Sequence, residues 1–147
     1  MSDFRNKQSA EILKAVYRNA DIAYAASSDV LKRCRNSELS REINDQKERY
    51  KSVASRARRE LARRGEPARQ ASSYVRNMTR MGIAMRTAAD SSSANLAKIM
   101  LQGTTMGIVD IQHAVNRSHR AEPEIRENAE QLLMREQDFC DGLKRFL

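Results

Sequence analysis

Helix-breaking residues are scarce in this chain, and they fall between long segments in which apolar residues recur every three or four positions. The 147 residues include only 5 glycines and 2 prolines, far fewer than the loops of a sheet-rich protein require. Apolar residues at this spacing form a stripe along one face of an α-helix. We therefore expect an all-α fold, in a single domain that covers residues 1–147.

Five helices are predicted from the apolar stripes and from the residues that interrupt them. The predicted helices span about residues 9–34, 38–64, 71–89, 93–118 and 122–146. Ser37 is the expected N-cap of the second helix, and Gly65 the expected C-terminal stop. The short link between the first two helices makes them antiparallel neighbours.

The third predicted helix is shorter than the others and connects two helical hairpins. A helix of this length rises roughly 27 Å, which carries the chain from one end of a bundle to the other. Two antiparallel hairpins joined by one long crossover are the ferritin-like four-helix architecture. We expect this bundle, and the alternative is an up-down bundle with an extra helix.

The fourth predicted helix is almost uncharged over residues 99–110 and carries Gly103 and Gly107 one turn apart. Each interior glycine costs a helix roughly 1 kcal/mol relative to alanine. Close packing against small residues of the first helix would offset this cost. The predicted packing seam consists of Ala20, Ala23, Ser27, Gly103 and Gly107. The alternative is that the glycines mark a ligand cavity or a helix bulge.

The same helix is apolar on nearly all sides, which is typical of a buried helix. We expect its neighbours in the bundle, together with the crossover helix or a second subunit, to cover it. The methionines are interpreted as core side chains, with a soft binding surface as the alternative. They are Met78, Met81, Met85, Met100 and Met106.

A ferritin-like di-iron site would need a glutamate from two helices and a Glu-x-x-His motif from each of the other two. Asp21 and Glu136 are the only carboxylates near the expected level. A separate pair, Asp110 and His113, has the spacing of two ligands on one helix face. Neither pair completes a ligand set, so we predict no metal site, no cofactor and no catalytic residue.

Glu136 falls on the apolar stripe of the last helix. A carboxylate in a core must be paired, hydrogen-bonded or protonated. Gln46 and Tyr50 lie on the inner stripe of the second helix at the same level, and Tyr17 is a further potential partner. We predict a buried polar network of Gln46, Tyr50 and Glu136.

The net charge is +8, and the densest basic cluster closes the second helix. This cluster consists of Arg56, Arg58, Arg59, Arg63 and Arg64. Cations are favoured at a helix C-terminus, and no aromatic residues interleave with the arginines as a base-stacking platform would require. We interpret the cluster as a solvated face, and nucleic-acid binding is the less favoured alternative.

Cys34 and Cys140 lack metal-binding spacing and are predicted to be core thiols toward the same end of the bundle. Spacing alone does not decide whether they approach each other. The N-terminal residues lack the apolar segment of a signal peptide, and no segment reads as a membrane span. A cytoplasmic protein without a membrane partner is therefore expected.

Several segments together resemble a family of uncharacterised bacterial proteins that form a ferritin-like four-helix bundle. The segments are Gln46 with Tyr50, residues 81–85, Asp90 with Ser92, residues 100–108, and Glu136 with residues 143–147. The resemblance covers nearly the whole chain and rests on packing motifs. It implies a bacterial origin and this fold, and it brings no established activity. Bundle proteins with carboxylates on the first and third long helices are more loosely similar. Asp21 matches the carboxylate position of the first helix, whereas Leu101 and Thr104 depart from that of the third.

The expected function is that of a non-enzymatic bundle that acts through protein–protein contacts, as a homodimer. One alternative is a degenerate ferritin-like protein that binds a metal ion or a small apolar ligand at mid-bundle. A weaker alternative is a basic nucleic-acid-binding protein.

Overall fold

The structure, a computed structural model, describes residues 2–70 and 73–147. Within these ranges it is all-helical and contains no strand, so the predicted all-α class is confirmed. The helices are α1 (Ser2–Leu31), α2 (Ser37–Arg63), α3 (Ser73–Ala89), α4 (Ser93–Arg117) and α5 (Pro123–Leu143), followed by a 3-10 turn at Lys144–Phe146. No helix in the described ranges is both long and apolar enough to cross a membrane.

The helices pack as two hairpins with α3 laid against one side. α1 packs along α2, α4 packs along α5, and α1 also contacts α4. Arg58 donates a hydrogen bond to the hydroxyl of Tyr17 at 3.1 Å, whereas Lys47 lies over the ring of Tyr24. Because later residues of α1 thus meet earlier residues of α2, these two helices are antiparallel.

α1 begins at Ser2, seven residues before the predicted start, because its first turns are held against the α4–α5 connection. Phe4 lies under the guanidinium of Arg120, and Gln8 accepts a hydrogen bond from the backbone of Arg120 at 2.6 Å. These long-range contacts leave no mark on the local pattern of the sequence.

The other helix ends lie close to the predicted positions, with small differences. Asn36 rather than Ser37 is the N-cap of α2, and its side chain accepts from the Leu39 amide at 3.0 Å. Gly65 has a φ of 70°, a conformation that favours glycine and lets the amide of Glu66 close the helix on Leu61. The predicted start of the third helix at residue 71 lies outside the described residues.

The apolar core is divided into two clusters, one toward each end of the bundle. The lower cluster includes Ile12, Leu13, Leu61, Ile111, Val115, Ile125 and Leu133. The upper cluster includes Val30, Leu39, Ile43, Leu96, Phe139 and Leu143. Along each long helix, one or two buried residues lie between the clusters. We call this level the waist; it consists of Ala20, Gln46, Tyr50, Thr104 and Glu136.

α4 is not buried on all sides within the single chain, so the crossover helix does not supply the expected cover, and cover by a second subunit stays a prediction. Met106 is 74% exposed and Val109 is 63% exposed. α3 contacts α4 along only a short stretch, and most of its own contacts are with α1. An apolar face of α4 therefore remains uncovered in the single chain.

Candidate functional site

Glu136 is buried at the waist and is held by two side chains of α2. Its Oε1 accepts a hydrogen bond from Gln46 Nε2, and its Oε2 accepts one from the Tyr50 hydroxyl, both at 2.8 Å. Gln46 and Tyr50 lie four residues apart, so they project from the same face of α2. The structure therefore brings the three predicted network residues together, whereas Tyr17 bonds to Arg58 instead.

The buried position changes the acid–base behaviour of Glu136. Burial raises the pKa of its carboxyl from 4.5 to about 7, although the hydrogen bonds from Tyr50 and Gln46 act to lower it. Burial and the nearby Glu136 charge raise the pKa of Tyr50, so its hydroxyl keeps its proton. Near neutral pH the waist therefore holds a carboxyl that can gain or lose a proton.

A cavity of about 850 Å³ opens between α1, α3 and α4 and reaches inward to Tyr50 and Glu136. We call it the inner cavity. Its lining is predominantly apolar and includes Ile22, Ala26, Met78, Ile83, Met100 and Met106. This volume lies within the range of small-molecule sites, which typically combine apolar walls with a few polar groups.

The predicted packing seam is wrong, because the glycines of α4 border this cavity. A Cβ added to Gly103 would have no neighbouring atom within 4 Å, and one added to Gly107 would meet Asn19 Oδ1 at 3.5 Å. Asn19 donates to Asp110 at 2.6 Å, so a polar side chain separates the two helices beside Gly107.

The small residues of α1 divide between the cavity and the interior. Ala20 and Ala23 line the inner cavity with the two glycines. Ser27 is fully buried, and its Oγ has no hydrogen-bond partner among the described residues. The small side chains of both helices therefore leave space between α1 and α4.

Asp110, one of the carboxylates considered as a metal ligand, is engaged elsewhere. Asp110 accepts hydrogen bonds from Arg18 at 2.8 Å and from Asn19. Burial acts to raise the pKa of Asp110, but these two bonds outweigh it and lower the pKa. His113 is exposed beside Arg117. Asp110 therefore links α4 to α1, whereas His113 is a surface side chain.

Asp21 lies near the guanidinium of Arg58 and does not line the inner cavity. In residues 2–70 and 73–147, no group of three or more His, Cys, Asp or Glu side chains could hold a metal ion. At the waist Glu136 is the only carboxylate. Its donor set does not fit two hard cations, which require several anionic oxygens.

Four of the five arginines of the basic cluster are exposed, as a solvated surface requires, but they differ in their partners. Arg58 bonds to Tyr17, while Arg63 and Arg64 bond to Glu60. The Arg64 side chain also pairs with Glu122 and is only 12% exposed. Arg56 and Arg59 are exposed and line a second cavity, between α2 and α5. Residues that adjoin in sequence are thus separated by their angles around the helix.

The two cysteines are free thiols. Cys34 is partly buried beside the α1–α2 turn, and Cys140 is buried in α5. Burial raises the pKa of the Cys140 thiol. The thiol is therefore less reactive than an exposed cysteine at neutral pH.

Four of the five methionines interpreted as core residues are exposed. Only Met100 is buried, whereas Met78, Met81, Met85 and Met106 are each at least half exposed. Sequence reasoning missed Arg49 and Arg135, which line the second cavity. A helical projection of α2 could have found the first, because Arg49 and Arg56 are two turns apart on one edge.

Comparisons with known proteins identify no relative. No family model, no curated protein and no solved structure matches this chain. The function is therefore inferred from the geometry of the cavities and of the waist.

Proposed function

We propose that this protein binds a small, largely apolar molecule that carries a cationic or hydrogen-bond-donating group. The observation that carries the proposal is a buried carboxyl at the inner end of an apolar cavity. The inner cavity supplies apolar contact area, and Glu136 supplies one oriented polar anchor. This combination corresponds to the small-ligand alternative for a mid-bundle site.

The carboxyl of Glu136 retains acceptor capacity for a ligand. Each of its oxygens accepts one hydrogen bond from the protein, and a carboxylate has about four acceptor positions. The Tyr50 and Gln46 bonds fix the orientation of the carboxyl. An ammonium or hydroxyl group that enters the cavity can therefore donate to Glu136 without displacing either bond.

The apolar walls favour the remainder of the ligand. Apolar surface contributes about 25 cal/mol for each Å² removed from water. Ile22, Ile83 and Met100 offer such surface inside the cavity. The Thr104 hydroxyl already donates to the Met100 carbonyl at 2.7 Å, so the ligand need not accept a hydrogen bond from it.

Calorimetric titration at pH 8 with an alkyl amine, the matching alcohol and the matching carboxylic acid tests this proposal. The amine is expected to bind at least tenfold more tightly than the acid, because Glu136 is largely ionised above its pKa of about 7. The alcohol is expected to lie between them. Glu136→Gln is expected to remove the preference for the amine.

A matched pair of leucine variants locates the binding. Gly103→Leu places a side chain in the inner cavity and is expected to weaken amine binding at least tenfold. Ala94→Leu changes an exposed position of the same helix and is expected to leave binding unchanged. Equal binding of the acid and the amine, or unchanged binding by Gly103→Leu, contradicts the proposal.

A second candidate is a non-enzymatic bundle that acts through protein contacts as a homodimer. The exposed apolar residues of α3 and α4 favour it, because such patches mark interaction surfaces. They include Met78, Met81, Met85, Met106 and Val109. Sedimentation equilibrium should then show a dimer that Met85→Glu with Met106→Glu converts to a monomer. A wild-type monomer at high concentration rules the dimer out.

The four long helices are further proposed to form a ferritin-like bundle. Two hairpins, α1–α2 and α4–α5, are connected through α3, and contact between α1 and α4 joins the hairpins. This connectivity supports the proposal, since one long crossover distinguishes ferritin-like bundles from simple up-down bundles.

A further inference from the structure

A second cavity, of about 530 Å³, lies between α2 and α5. We call it the arginine cleft. It is lined by residues of α1, α2 and α5, and its floor is apolar. The floor is made of side chains of the lower cluster, of which Val53 and Leu132 are partly exposed and the others are buried: Ile12, Leu13, Val16, Ala57, Ile125 and Ala129. α2 and α5 approach each other less closely than the helices of either hairpin, which leaves this opening.

The rim of the cleft carries an excess of positive charge. Arg49, Arg56 and Arg59 line it from α2, and Arg135 lines it from α5. Within residues 2–70 and 73–147, none of these four side chains forms a hydrogen bond or an ion pair; Arg49 acts on Glu136 only through its charge. Of the two acidic residues at the rim, Glu60 is already bonded to Arg63 and Arg64.

We propose that the arginine cleft docks an amphipathic helix with acidic flanks from a protein partner. Arg49 and Arg59 are ten residues apart, so the positive charges extend for roughly 15 Å along α2. A small anion would meet only one part of this row. A helix that turns carboxylates toward both edges and apolar residues toward Val53 and Leu132 matches the charged rim and the partly exposed part of the floor.

Other occupants fit the cleft less well. The lining contains no aromatic side chain on which a nucleic-acid base could stack. A second copy of this chain carries a net charge of +8, so it lacks the acidic excess that would complement the basic rim. The unpaired arginines therefore favour an acidic protein segment.

The cleft is separate from the inner cavity. Val16, Val53 and Leu132 line both, so they form the wall between them. The arginines lie on the α2–α5 side of this wall, and Gly103 lies on the other side. Partner binding in the cleft therefore does not depend on the proposed ligand site.

Fluorescence anisotropy with a designed peptide tests the docking site. The probe is a labelled helix of about 15 residues, or roughly four turns, with leucines at helical spacing and glutamates on both flanks. A scrambled peptide of the same composition and a peptide with lysine flanks serve as comparisons. The designed peptide is expected to bind at least tenfold more tightly than either comparison.

Charge reversal locates the binding. Arg56→Glu with Arg59→Glu is expected to weaken binding of the designed peptide at least tenfold. Arg35→Glu with Arg41→Glu changes the net charge equally at exposed positions outside the cleft and is expected to alter binding less than threefold. Circular dichroism of each variant verifies that its helices are intact.

Several outcomes overturn the proposal. Equal binding of the scrambled peptide shows that charge alone is responsible, and equal loss in the two double variants shows that the cleft is not the site. Absence of binding by the designed peptide also contradicts it. If a duplex DNA of equal charge binds more tightly and depends on Arg56 and Arg59, the cleft is a nucleic-acid site instead.

Discussion

Glu136→Gln is expected to flatten the dependence of protein stability on pH between about 4.5 and 7. In the wild type, burial raises the pKa of this carboxyl from 4.5 to about 7. The folded state therefore binds the proton more tightly than the unfolded state. The resulting stabilisation is fully present below pH 4.5 and is lost as the pH rises through about 7.

The expected size of the effect follows from linkage. Each pKa unit corresponds to about 1.4 kcal/mol, so the contribution lost by pH 8 is about 3 kcal/mol. Glutamine has nearly the same shape and cannot ionise, so its variant lacks this loss. Urea denaturation at pH 5 and at pH 8 gives the change in the free energy of unfolding with pH for each protein. The difference between these two changes is the contribution of Glu136.

The comparison with the wild type removes the contributions of other carboxylates. Glu60 and Asp110 have lowered pKa values and produce the opposite trend, because their stabilisation is lost as the pH falls. Those contributions are common to both proteins. Glu127→Gln, at an exposed position of the same helix, is the control and should keep the wild-type pH dependence. Parallel pH profiles for the wild type and Glu136→Gln would show that Glu136 titrates normally in the folded state.

Leu61→Ala is expected to destabilise the protein far more than Leu132→Ala. Leu61 is fully buried in the lower cluster, where truncation removes apolar contacts and leaves a void. Leu-to-Ala substitutions of this kind cost roughly 2–5 kcal/mol. Leu132 is only partly buried and lines both cavities, so about 1–2 kcal/mol is expected there.

Urea denaturation at one fixed pH measures the free energy of unfolding of both variants. The two substitutions delete the same atoms, so the difference between them reports the surroundings of each side chain. Equal losses would mean that the wall around Leu132 is packed as tightly as the interior of the lower cluster. In that case the two cavities would not meet at this wall.

The helices could be predicted from the sequence because their signals are local. Gly65 and Ser92 mark helix ends through bonds that span only a few residues, and Asn36 caps α2 one residue before the expected position. The contact between Glu136 and α2 could also be predicted, because the fixed rise of an α-helix places Gln46, Tyr50 and Glu136 at one level. The start of α1 could not, since it depends on contacts with residues near 120.

The inner cavity could not be predicted, because small residues indicate two opposite arrangements. Gly103 and Ala20 are equally compatible with touching helices and with a space between them. The outcome depends on Asn19, which inserts beside Gly107 and reaches Asp110 on the other helix. This long-range bond between two polar side chains leaves no mark on the apolar pattern of either helix.

Because the pKa of Glu136 is about 7, this carboxyl in the middle of the bundle can hold or release one proton near neutral pH. On the proposed function, a bound cation would stabilise the ionised form of Glu136 and so expel the proton that the carboxyl holds without it. At a pH equal to the pKa, roughly half a proton per molecule is released on binding. By the same linkage, acid competes with the ligand. The site would then release a cationic ligand wherever its surroundings become more acidic.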